Sequence, residues 1–181
     1  MILRDRENGK FYSPGVHMPE QRETPLIINI RPAQPSDTEA IGSLFEEFVA
    51  YLRSIGDQTP YDFGARKYLE DGFGSDPAFR GIVAEIEEGI VGYALFCKSY
   101  DGEYLRCFYL IDLYVGTRSR GQGIGEMLMK DLIRIGRTEG IRRISWAVHK
   151  HNLGAIRFYE RLGASYSDDV HSMHLDLHGS M

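Results

Sequence analysis

Two cysteines, Cys97 and Cys107, are all that 181 residues supply, and both sit inside apolar runs of strand character. That scarcity excludes a fold stapled by disulfides, so buried free thiols in a reducing compartment are expected. Long apolar runs are missing as well. No stretch approaches the ~18 consecutive apolar residues needed to span a bilayer, and residues 1–10 are charged where a secretory signal would be apolar. A soluble, cytoplasmic chain with no membrane partner is therefore expected. Positive charge is in deficit, with 21 Lys and Arg against 26 Asp and Glu and a formal net charge of -5. This argues against a nucleic acid partner bound along its backbone and favours cationic small molecules. Internal repeats, heptads and low-complexity blocks are lacking too.

What remains is material for one good-sized core, since 43% of the residues are hydrophobic. Residues 1–25 hold Pro14, Pro19 and Pro25, many charges and no sustained periodicity. They read as an extension, disordered or lying on the surface, and residues 26–181 as a single domain. Residues 26–31 have strand character up to Pro32. Ser36 with Glu39 then forms a capping-box signal ahead of a helix that runs to about Ile55, with Ile41, Leu44, Phe45, Phe48 and Leu52 at helical spacing. A second helix is predicted over 63–71. Strands follow at 81–87, 89–99 and 104–115, the first two joined by a turn at Glu88-Gly89. Ile124, Leu128, Leu132 and Ile135 mark one face of a helix over 121–138. A strand at 141–148, a short helix around Ala155, Phe158 and Leu162, and a closing strand at 170–177 complete a mixed α/β order.

The most informative stretch is Arg118-Ser119-Arg120-Gly121-Gln122-Gly123-Ile124-Gly125, between the longest strand and the most amphipathic helix. Glycines let backbone N–H groups approach an anion, a helix N-terminus adds unpaired donors, and arginines neutralise phosphate. The combination suits a pyrophosphate. A dinucleotide-binding turn would need G-x-G-x-x-G after the first strand, and a nucleotide P-loop would need Gly-Lys-Ser or Gly-Lys-Thr. Neither is present.

Arg120-Gly121-Gln122-Gly123-Ile124-Gly125 resembles the Arg/Gln-x-x-Gly-x-Gly/Ala signature of the GNAT superfamily of N-acetyltransferases. The resemblance spans about residues 30–177. It extends through Arg31-Pro32-Ala33, Tyr68-Leu69-Glu70-Asp71-Gly72-Phe73-Gly74, Ile90-Val91-Gly92-Tyr93-Ala94 and Phe158-Tyr159-Glu160-Arg161-Leu162-Gly163-Ala164, all similar to the spermidine/spermine (diamine) branch. It implies an α/β GNAT fold, with a mixed central sheet of about six to seven strands and about four helices. It also implies acetyl-CoA as cosubstrate, no metal, a small primary amine as acceptor, and a homodimer. Coenzyme contacts are implied for Leu113, Tyr114 and Val115 on the strand, for Arg120 to Glu126 in the cradle, and for Asn152, Ala155 and Tyr159 beyond it. Protein lysine or N-terminal acetylation, or a non-catalytic acyl-CoA sensor, would use the same cradle.

Direct attack of an amine on a thioester needs a base and an acid for the departing thiolate. By resemblance Tyr159 is the acid, the alternative being a tyrosine that only packs beside Phe158 and Leu162. The branch carries a glutamate where this chain has Ile111. Asp112 remains as a candidate to bind the amine or relay its proton, though strand alternation directs it away from the face that Ile111 uses. Tyr51, in an aromatic stretch reaching Phe63, is the other expected substrate contact. Acids would also be expected at Leu52 and His171, so spermidine is predicted to be a poor acceptor. His149 and His151 are further base candidates. A zinc site at His171, His174 and His178 is rejected, because alternation separates the first two and no cysteine pair completes it.

Overall fold

The computed structural model describes residues 26–102 and 106–167, together with the backbone of β1 (Leu3–Arg4) and β2 (Phe11–Tyr12). These two short strands pair antiparallel where no element was expected. The predicted strand at 170–177 and His171, His174 and His178 lie outside the described residues.

The main sheet has five described strands in the order β3 (Asn29–Pro32), β4 (Arg80–Ile86), β5 (Gly89–Tyr100), β6 (Arg106–Val115) and β7 (Arg143–Ser145). Neighbours are antiparallel except β6 and β7, which run parallel. The sheet is mixed, as expected, with five strands among the described residues where six to seven were anticipated. Alternation sorts the side chains onto two cores. Val83, Tyr93 and Leu95 face α1 (Thr38–Ser54) and α2 (Ala65–Phe73), meeting Ile41 and Tyr68. Ile82, Ala94, Phe96 and Phe108 face α3 (Ile124–Thr138), meeting Leu128 and Leu132. The last helix, α4 (Leu153–Arg161), lays Phe158 and Tyr159 against the edge of this second core. No described helix is long and apolar enough to cross a membrane.

Among the boundaries that differ from the sequence reading, three have a clear physical reason. Helix α1 is entered through a 3-10 turn over Pro35–Asp37, with Asp37 as N-cap in place of the Ser36/Glu39 box. Asp37 takes that position because its carboxylate is held on three sides. It accepts from the two Arg31 terminal nitrogens at 2.7 and 3.0 Å and from Gln34 N–H at 2.8 Å. Helix α3 begins at Ile124 rather than 121, since Gly121 and Gly123 both have φ near +77°, outside the right-handed helix. Strand β7 is three residues long instead of eight, because the chain leaves β6 at Trp146.

The Arg31 guanidinium also donates to Glu85 at 2.8 and 3.0 Å, so it ties β3 to β4 and both to the start of α1. This hydrogen bonding pulls the Asp37 carboxyl below its ordinary range, Arg31 being the main cause. A depressed carboxylate adds stability that is complete above the unfolded pKa of ~3.9 and lost as pH falls through the lower folded value. Asp37→Asn is expected to cost about 2–3 kcal/mol at pH 7, less than the ~3–5 of a fully buried pair because Arg31 and Glu85 are partly solvated. Urea unfolding at pH 7 and at steps down to pH 2 should show the difference from wild type closing as acid protonates Asp37.

Candidate active site

The site begins where the sheet opens. Parallel pairing joins Cys107, Phe108 and Tyr109 to Arg143, Ile144 and Ser145 and then stops, while β6 continues to Val115. Trp146, the first residue past the pairing, sets its ring 4.6 Å from that of Tyr159. Between the two diverging segments lies a cleft of about 500 Å³. One wall is the end of β6 and the start of α3. The other is the first two turns of α4.

The α3 wall has the features of an anion cradle. Gly123 is the N-cap of α3 and is left-handed, as is Gly121, and a Cβ added at either would meet no protein atom. Backbone conformation, then, is what demands glycine there, and the space beside it is free for a ligand. The first helical hydrogen bond runs from Met127 N–H to Gly123 C=O. The N–H groups of Ile124, Gly125 and Glu126 are thus the unpaired donors that a helix start presents, and all three residues line the cleft. Arg120 adds a cation. Its guanidinium lies 5.4 and 5.1 Å from the Tyr51 and Tyr114 ring centroids, and its Nε donates to Val115 C=O at 3.0 Å. Opposite, Asn152 caps α4 by accepting from Ala155 N–H at 3.1 Å.

Of the residues expected to hold the coenzyme, Leu113, Tyr114, Val115, Arg120, Gly121, Gly123, Ile124, Gly125, Glu126, Asn152, Ala155 and Tyr159 all line this one cleft, and so does Tyr51. Gln122 and Asp112 do not. The sequence reading missed Phe48 and Arg161 as lining residues. Helical spacing could have found them, because Arg161 follows Phe158 by three on α4 and Tyr51 follows Phe48 by three on α1. Leu52 is 4% exposed and belongs to the packed interior.

Asp112 owes its position to a bulge. Leu95 pairs with Asp112 and Phe96 with Leu110, which leaves Ile111 as an extra residue in β6. Before it, Phe108 and Leu110 face α3, and after it Leu113 and Val115 do. The alternation is reset, and Asp112 shares the opposite face with both Ile111 and Tyr114. This corrects the expectation that Asp112 points away from the face of Ile111. Burial there pushes the Asp112 carboxyl up to about 6. Tyr159 is raised to about 12, first by burial and then by the charge of Asp112. Tyr61 is likewise raised to about 12, by burial first and then by its 2.5 Å hydrogen bond to Asp57. His149 lies near Asp57 and accepts a 3.3 Å hydrogen bond from His151 N–H at Nδ1, away from the cleft lining. Among the described residues no three His, Cys, Asp or Glu side chains gather as a metal site would require.

The arrangement pairs an anion cradle with a phenol and a carboxyl, both held toward their neutral forms. Because the folded protein disfavours ionised Asp112, the carboxylate weakens the fold above pH ~6 and has no effect below the unfolded pKa of ~3.9. Asp112→Asn should therefore stabilise the protein at pH 7–8, by up to ~2–3 kcal/mol. Thermal unfolding followed from pH 8 to pH 4 should show that gain shrinking to nothing.

The sequence profile of the acetyltransferase (GNAT) family matches residues 42–164. Thialysine N-epsilon-acetyltransferase of Bos taurus is 32% identical over 156 residues, covering 82% of this chain and 90% of that protein. The L-methionine sulfoximine/L-methionine sulfone acetyltransferase of Pseudomonas aeruginosa is 26% identical over 146 residues, covering 80% and 84%. Among solved structures, an aminoglycoside N-acetyltransferase in complex with CoA superimposes with a TM-score of 0.67 at 16% identity, covering 84% of this chain and 97% of that one. Profile, relatives and fold agree with the cleft: the chain belongs to the GNAT family and is an acetyltransferase.

Proposed function

We propose that this enzyme transfers the acetyl group of acetyl-CoA to the primary amine of a small molecule by direct attack, with Tyr159 and Asp112 as its proton-handling groups. The observation that carries this reading is the cleft itself, which runs from the left-handed Gly121/Gly123 cradle to the Tyr159 ring. Bound acetyl-CoA supplies a thioester whose acyl carbon takes the amine and whose sulfur leaves.

Each residue's part follows from its surroundings. The α3 N–H groups and Arg120 hold the pyrophosphate. An incoming ammonium is drawn to ionised Asp112, and in that poorly solvated setting proton transfer from ammonium to carboxylate replaces two buried charges with none. A carboxyl near 6 is a better proton acceptor than an ordinary aspartate while remaining ionised at pH 7. Tyr159, near 12, stays protonated through the neutral range and donates to the sulfur as the C–S bond breaks. Full transfer to a free thiolate of pKa ~8.5 would be uphill. The phenol therefore recovers a proton from the nitrogen of the collapsing adduct, so one proton passes from N to S by way of the tyrosine.

The relatives' named substrates, thialysine and methionine sulfoximine among them, support a small amine that also carries a carboxylate. Ile111 at the bulge favours this over a polyamine, whose second ammonium would find no acid there. The reading extends to a cytoplasmic homodimer. Free Cys97 and Cys107 support the reducing compartment, and Tyr109 and Ile111, exposed on one sheet face, supply an apolar contact surface.

Release of coenzyme A thiol against a panel of amino acid analogues, polyamines and lysine peptides tests the acceptor, and a small amine with a carboxylate should give the highest kcat/KM. Tyr159→Phe should lower kcat by roughly 10²-fold with coenzyme affinity unchanged. The acid limb of the pH profile, falling below about pH 6, should disappear in Asp112→Asn.

A further inference from the structure

Among the described residues no strand pairing spans the cleft beyond Tyr109 and Ser145, and side chains connect its two walls. Tyr51, on α1, touches both. Its ring carries the Arg120 guanidinium at 5.4 Å on the cradle side. Its hydroxyl donates to Asn152 Oδ1 at 2.9 Å on the α4 side. That oxygen also accepts from Ala155 N–H, so both of its lone pairs are used inside the protein. What Asn152 can offer to a molecule in the cleft is therefore its Nδ2 donors. The helix it caps carries Tyr159 two turns later.

We infer that Tyr51 is a positioning residue, one that couples the phosphate cradle to the helix bearing the acid by holding Arg120 and Asn152 at once. The inference rests on the coenzyme reading of the cleft and replaces direct contact between Tyr51 and the amine. A hydroxyl of this kind orients an amide and steadies a cap without touching the reacting atoms. When the cleft fills, the α4 wall is already at the spacing that the cradle requires, and less ordering is left to complete on binding. The two attachments are separable, because the ring serves Arg120 and the oxygen serves Asn152.

Calorimetry with coenzyme A and steady-state kinetics with acetyl-CoA separate these contributions in the full chain. Tyr51→Phe keeps the ring and removes the hydroxyl. It should raise both the Kd for coenzyme A and the KM for acetyl-CoA about 3–10-fold, the scale of one net hydrogen bond. The KM for the amine should stay within about twofold, because Tyr51 is argued to act through Asn152 and Arg120. In an Asn152→Ala background the same substitution should change nothing further, since its partner is gone. Tyr51→Leu, which also removes the ring, should weaken coenzyme binding beyond Tyr51→Phe, and that extra loss should vanish when Arg120 is alanine. Additive effects of Tyr51→Phe and Asn152→Ala would overturn the coupling, as would a lowered unfolding temperature with coenzyme Kd and KM unchanged. A larger change in amine KM than in acetyl-CoA KM would return Tyr51 to the acceptor site and overturn it as well. Failure of the wild type to bind coenzyme A would overturn both this inference and the reading it rests on, whereas normal wild-type binding with additive variants would overturn this inference alone.

Discussion

The parting of β6 from β7 after three residue pairs is the constraint on which the rest of this molecule depends. Parallel strands that stayed paired to Val115 would satisfy their backbone groups and leave no cleft. Once they diverge, the end of β6 carries polar groups toward an opening, and such groups need partners. Arg120 supplies one by donating to Val115 C=O. The chain that leaves β7 turns into α4, whose capping residue faces the start of α3 across the gap. A sheet that would otherwise be closed thereby acquires an entry between two helix N-termini, and both present unpaired N–H donors.

The bulge at Ile111 is the second half of the same device. An extra residue in β6 reverses which side chains face which helix layer, so Leu113 and Val115 face α3 while Asp112 and Tyr114 turn toward α1. Without it, alternation would carry Asp112 onto the face of Leu110 and into the apolar packing of α3. The bulge brings the carboxyl close enough to Tyr159 for its charge to raise the phenol, with the α1 layer over the same sheet face. Phe45, Phe48, Tyr61 and Phe63 form that layer, in edge-to-face contacts 4.7 to 6.4 Å between centroids. Burial raises both Asp112 and Tyr159, and a fold that keeps a carboxylate there gives up stability.

Residue by residue, much of the cradle was legible in the chain. Gly121, Gly123 and Gly125 follow Arg120 at the junction of a strand and an amphipathic helix, and that location, together with glycine and arginine chemistry, suits an anion. The helices were legible because Ile124, Leu128 and Leu132 repeat every four residues and Ile41, Phe45 and Leu52 recur on one face. Asp112 was visible as a candidate but not as a position, since a bulge is decided by how two strands pair and leaves no mark in one strand's composition.

Resemblance pointed to Tyr159 and left Asp112 as a candidate, whereas the residues by themselves determined the element order from β3 to α4 and the glycine-bearing turn. These depend on periodicity, on the backbone freedom of glycine and on side-chain chemistry, all of which are local. Tertiary structure alone decided where β7 stops, which face Asp112 takes, how far Asp112 and Tyr159 move from their ordinary pKa values, and that Tyr51 reaches Asn152 across the cleft. Each of those arises between residues far apart in the chain, as Tyr51 and Asn152 are at 101 positions. Such relations exist only after the sheet has folded, because burial and cross-cleft distance are properties of the packed molecule.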